Sequence, residues 1–118
     1  MEEFEVVFYW KANGTKPMVK FLDSLEPKLR AKVDRDIAAL RDQADMLWEP
    51  YSKSMGKGLF ELRVRQGNDI ARAFYFFFCG NRIVVTNGFV KKSQKAPRRE
   101  IERALAYKAY WEKRFGNG

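Results

Sequence analysis

The sequence predicts an α+β fold: a helical hairpin packed on a mostly antiparallel four-stranded sheet, with a C-terminal helix, in the order β-α-α-β-β-β-α. Three observations carry this. Apolar residues recur at helical spacing between Pro17 and Ala44 and again beyond Pro97. Three runs rich in aromatic and β-branched residues lie between Leu59 and Phe89, separated only by short turn-forming clusters, which is the pattern of a meander. A fourth run of the same kind opens the chain. At 118 residues, with 46% hydrophobic and 32% charged content and neither an internal repeat nor a linker, one domain over 1–118 is expected.

Residues 4–10 read as the first strand, and Asn13-Gly14 turns the chain. Met18, Phe21, Leu22 and Leu25 then recur at helical spacing, and Pro17 suits a first turn, where its missing N–H costs nothing. Pro27 restarts the pattern: Leu29, Val33, Ile37, Leu40 and Ala44 form one stripe, leaving Lys28, Arg35, Asp36, Arg41 and Asp42 to solvent. Between about Asp45 and Gly58 the period disappears, and Pro50, Ser52, Ser54, Gly56 and Gly58 read as a loop. In residues 59–65, Phe60, Leu62 and Val64 alternate with Glu61, Arg63 and Arg65, so the expected strand has one apolar face and one charged face. Gln66-Gly67-Asn68-Asp69 reads as a hairpin turn. Residues 70–79 are apolar on both faces except at Arg72, which fits a central covered strand, and residues 82–89 form the last one. From Pro97 a helix runs through Ile101, Ala104, Leu105, Trp111 and Phe115, with Lys113 and Arg114 in its last turn and Gly116 after it.

The chain has no histidine, which excludes Ser/His/Asp and Cys/His nucleophiles, paired-histidine ribonuclease chemistry and most transition-metal sites. Its single cysteine, Cys79, excludes an internal disulfide and a zinc module. Gly56-Lys57-Gly58 lacks the rest of a nucleotide-binding loop, and Asp34 and Asp36 face different ways on one helix, so neither a metal nor another cofactor is expected. The acidic N-terminus and the absence of a long apolar run point to a cytoplasmic protein without membrane contact.

Net charge is +8, unevenly spread: residues 1–50 carry 8 Lys+Arg against 10 Asp+Glu, and residues 51–118 carry 15 against 5. A field of one sign on one part of a small domain suits a polyanion, because each neutralised phosphate releases counterions. The competing reading is charge that serves solubility or lies under an acidic partner.

Arg63 and Arg65 share a strand face at a separation of roughly 6 to 7 Å, near the spacing of phosphates along one strand. The alternative is a solvated face pairing with Glu61. Arg72, alone among apolar neighbours, must reach a strand end, a carboxylate such as Glu61, or a phosphate. Lys91, Lys92 and Lys95 follow the last strand, and Arg98 and Arg99 sit in a first helical turn, where they oppose the helix dipole unless an anion reconciles them. With Lys57 and the ring of Phe89, Lys95, Arg98 and Arg99 form the candidate RNA-binding set; Tyr51, Phe60 and Tyr75 are further rings that either stack a base or belong to the core.

The stretch from Gly58 to Pro97 resembles the phage-derived branch of the RelE/HigB toxin family in three places: Leu59 to Arg63, the strand from Arg72 to Phe77, and the GFVKKSQKAP segment from Gly88. The resemblance implies the toxin of a type II toxin–antitoxin system, which cuts messenger RNA on the translating ribosome and is neutralised by an antitoxin, usually a helix-turn-helix protein. By position it implies catalytic roles for Arg63, Arg65, Arg72, Lys91 and Lys92. The implied reaction is metal-independent attack of the RNA 2′-hydroxyl on the adjacent phosphorus. Guanidinium groups suit the developing phosphorane charge, and a lysine crowded by cations has its pKa lowered, which makes Lys91 or Lys92 the expected general base or acid. This chain departs from some ribosome-dependent relatives in having neither histidine nor a tyrosine in the last catalytic segment. Two alternatives stand beside it: a gyrase-inhibiting toxin of the same fold, and a non-catalytic RNA-binding module.

Overall fold

A computed structural model describes residues 4–43, 51–91 and 97–116. Its elements are β1 (Glu5–Phe8), α1 (Pro17–Asp23), α2 (Pro27–Gln43), β2 (Ser52–Gly56), β3 (Leu59–Gln66), β4 (Asp69–Phe78), β5 (Arg82–Lys91) and α3 (Arg98–Phe115). The five strands form one mixed sheet in the order β1-β5-β4-β3-β2. β1 lies parallel to β5, with Val6 opposite Ile83, while the remaining neighbours are antiparallel.

The sheet therefore has five strands where four were expected, and the extra one is β2. Its residues, SKSMG, carry turn chemistry, so composition reads them as loop. What makes them a strand is the open edge of β3: Ser52 pairs with Leu62 and Ser54 with Phe60, with a bulge before Gly56. The connection back to β3 is tight, and Lys57 and Gly58 take φ of 55° and 78°, both in the left-handed region that a two-residue primed turn needs.

The helical hairpin forms as the periodicity dictates. Leu29, Val33, Ile37 and Leu40 of α2 and Met18 and Leu22 of α1 are buried against Leu62, Val64, Ala71, Ala73, Tyr75, Ile83 and Val85. Glu26 accepts a hydrogen bond from the Leu29 N–H at 3.3 Å and so satisfies a donor at the start of α2. Ala44 lies outside the described residues. α3 covers the opposite face: Trp111 packs with Tyr9, Phe76, Phe78 and Val84, and Ala104 with Leu59 and Phe74. β4 is consequently covered on both sides, as its composition requires.

The charged face expected on β3 differs from the expectation in one respect. It is not a uniform solvent face: Leu59 and Glu61 are 0% exposed, Arg63 is half-buried and Arg65 is exposed. Among the described residues no helix is long and apolar enough to cross a membrane.

Candidate nucleic-acid interface

The β3–β4 hairpin places the arginines. Gly67 takes a positive φ of 62° between Gln66 and Asp69, which pair directly, and this tight turn sets the register. Arg63 then stands opposite Arg72, and Glu61 opposite Phe74. Two like charges at directly opposed positions repel, so a counter-charge is needed between them. Glu61 supplies it: one carboxylate oxygen, Oε1, accepts from Arg63 Nε at 2.9 Å and from Arg72 Nη1 at 3.0 Å. The three side chains differ in access, at 0% exposure for Glu61, 4% for Arg72 and 27% for Arg63.

Arg65, two residues on, is exposed on the same strand face. On the other side of Arg72 stands Phe89, paired in register and half-buried, with its ring tilted on Phe74 at 5.6 Å between centroids. Phe89 is thus packed beneath α3 with Ile101 and Leu105 and offers only part of its ring. Lys91 stands opposite Ile70 at the end of β5. Lys92 and Lys95 lie outside the described residues. Arg98 and Arg99 are exposed in the first turn of α3, and Glu100 beside them accepts an ion pair from Arg103 at 3.2 Å. Lys57 is exposed at the β2–β3 turn, where its left-handed backbone φ is uncommon for a residue with a side chain. The structure so brings together Arg63, Arg65, Arg72 and Phe89 on the α3 side of the sheet. Of the other rings, Tyr51 is 61% exposed, whereas Tyr75 is buried on the helical-hairpin face, hydrogen-bonded to Ser52 at 2.6 Å and stacked on Phe60. Burial raises the Tyr75 pKa above the ordinary tyrosine value.

Two polar residues of this region carried no role in the sequence. Glu61 appeared there only as a pairing partner; here it is the buried centre of the arginine cluster, and its Oε2 has no hydrogen-bond partner among the described residues. Asn87 comes to the α3 face through a bulge. β5 pairs Gly88 with Ala73 but Val85 with Tyr75, so Thr86 and Asn87 together oppose Phe74. Asn87 is 4% exposed, and neither of its amide atoms has a partner among the described residues. The bulge goes with a close approach: a Cβ on Gly88 would stand 2.6 Å from the Phe21 ring and 2.9 Å from the Arg72 carbonyl oxygen, so only glycine lets α1 sit against this strand. Nothing in the local composition announces a bulge, but a carboxylate two residues before Arg63, on the same strand face, is a legible signal for Glu61. No group of three or more acidic, histidine or cysteine side chains is placed to hold a metal ion among the described residues.

A five-stranded mixed sheet with a helical hairpin on one face, and a C-terminal helix and an arginine cluster on the other, defines a small α+β domain with a basic site at the sheet. The family model described as "Phage derived protein Gp49-like (DUF891)" matches residues 20–108, a span that runs from α1 through all of β2–β5 into α3. The chain belongs to this family, a toxin-like module of the RelE/ParE-like toxin superfamily. No curated protein matches the chain.

Proposed function

We propose that the protein is the toxin of a type II toxin–antitoxin pair and acts as a ribosome-dependent, metal-independent messenger RNA endoribonuclease. The observation that carries this is the state of Arg63. Its Nε is tied to Glu61 and its side chain is 27% exposed, and its two Nη groups make no other hydrogen bond among the described residues. A guanidinium anchored at one edge and open at the other is a bidentate donor for a phosphate. Arg65 on the same face and Arg98 and Arg99 in the first turn of α3 are exposed cations for the neighbouring backbone.

In the reaction, the RNA 2′-oxygen loses its proton to a general base and forms a bond to phosphorus. The bond from phosphorus to the 5′-oxygen then breaks, that oxygen takes up a proton, and a 2′,3′-cyclic phosphate remains. Arg63 neutralises charge on the phosphorane, a preorganised interaction worth about 3 kcal/mol. Arg72, buried, works from behind through Glu61. Lys91 or Lys92, to which the resemblance gives a catalytic role, serves as the base or acid. The neutralising partner is an antitoxin, of the helix-turn-helix type implied by the resemblance.

The test is end-labelled messenger RNA incubated with the protein, free and on programmed ribosomes. Defined cuts on the ribosome alone, ending in cyclic phosphate, are expected. A folded protein that arrests growth without cutting any message overturns the nuclease reading and directs attention to gyrase.

A further inference from the structure

We propose that Glu61 is a positioning residue that divides the work of two opposed arginines, keeping Arg72 as buried counter-charge and holding Arg63 as the phosphate fork. This rests on the nuclease reading for its chemistry, although not for its geometry. Arg63 and Arg72 are directly paired across β3 and β4, and a single oxygen of a fully buried carboxylate accepts from both, at 2.9 and 3.0 Å. The bonds differ in kind. Arg63 donates through Nε, which leaves its terminal pair of nitrogens for a ligand; Arg72 spends a terminal nitrogen, Nη1, on the carboxylate. Holding a guanidinium by Nε fixes the plane in which its two Nη groups lie, and a phosphate fork depends on that plane. The three groups together carry a charge of +1, so Glu61 also limits how strongly the site attracts RNA before reaction.

Removing the charge of Glu61 while keeping its shape should therefore separate attraction from chemistry. A role in folding alone lowers both; a positioning role lowers chemistry and leaves RNA affinity equal or greater. The experiment compares Glu61→Gln, Arg63→Lys and the double variant with the native chain, with melting curves to establish folding. It uses single-turnover cleavage on programmed ribosomes at saturating protein, anisotropy with an uncleavable 2′-O-methyl RNA, and the Nε–H NMR signal of Arg63.

Glu61→Gln should cut at least tenfold more slowly while binding the 2′-O-methyl RNA at least as tightly. Arg63→Lys should also be slow, and the double variant no slower than Arg63→Lys, because Glu61 acts through Arg63. The Arg63 Nε–H signal should move in Glu61→Gln towards those of exposed arginines. A folded Glu61→Gln protein that cuts at the native rate overturns the proposal, as do effects that multiply in the double variant. If Glu61→Gln does not fold, Glu61→Asp replaces it, keeping the charge but shortening the reach, with slow cutting and unchanged affinity expected. If the native protein cuts nothing, the nuclease reading fails by itself; positioning is then decided by the NMR signal, and an Arg63 Nε–H unmoved by either variant overturns it.

Discussion

Under α1 and α2, the sheet buries Leu62, Val64, Ala71, Ala73, Ile83 and Val85, and its buried polar pair, Ser52 and Tyr75, is closed by a 2.6 Å hydrogen bond. Under α3 the same strands bury Glu61, Arg72, Thr86 and Asn87, and Glu61 Oε2 and both amide atoms of Asn87 lack a partner among the described residues. The first face is accounted for by removal of apolar surface from water. The second carries polar desolvation that packing does not require, and such a local departure marks a site kept for something other than stability.

The sharpest way to break this contrast is one large substitution on each face. Glu61→Leu takes the carboxylate from Arg72 and Arg63 and is expected to cost about 3–5 kcal/mol, measured by urea unfolding. Adding Arg72→Met should recover most of that stability without restoring cleavage, since a buried ion pair replaced as a whole by apolar groups is often tolerated. Leu40→Ala, on the other face, should cost about 2–5 kcal/mol while leaving the cutting rate per folded molecule unchanged. Recovery of cleavage in the Glu61→Leu/Arg72→Met protein would mean that the α3 face is ordinary core.

A smaller effect is expected at the closed polar pair. Ser52→Ala leaves a buried phenol without its partner, at about 1–3 kcal/mol, and Ser52→Ala/Tyr75→Phe should return close to native stability because both polar groups are then gone. Each face also buries a tyrosine whose pKa is raised chiefly by burial, Tyr75 under the hairpin and Tyr9 under α3. A raised tyrosine keeps its proton in the folded state after the unfolded chain has lost it. Stability is therefore unaffected at neutral pH and falls as pH rises above the ordinary value of about 10. Urea midpoints taken across that range should show the fall, and Tyr75→Phe should reduce it. The smallest effect on stability belongs to exposed Arg65: Arg65→Ala should shift it by less than about 0.5 kcal/mol. It should weaken RNA binding and lower the salt slope by about 0.7 for one lost phosphate contact.

Much of the fold was legible because it repeats. The stripe from Leu29 to Leu40 has helical period, and Leu29, Val33, Ile37 and Leu40 are all buried. The turn at Gly67 and the stop at Gly116 follow from residues that tolerate positive φ, 62° and 92° here. β2 was not legible, since Ser52, Ser54 and Gly56 name a turn and only the free hydrogen-bonding edge of β3 makes them a strand. Of the site, the arginines could be named but not ranked. In the sequence Arg72 stands apart only by its apolar strand and Arg63 and Arg65 are equivalent, whereas access to solvent separates the three into a fork, an open contact and a buried counter-charge.

What the sequence by itself determined is thus whatever depends on near neighbours: helix stripes, strand alternation, turn residues, an excess of positive charge after residue 50 and the absence of imidazole chemistry. What only the tertiary structure decided is what depends on register and cover. Arg63 lies nine positions from Arg72 and meets it because the turn at Gly67 aligns them, and Glu61 is fully buried on the face of the sheet that carries α3. A charge pair costs or contributes according to its distance and its exposure to water, and neither is a property of a residue until the chain has folded.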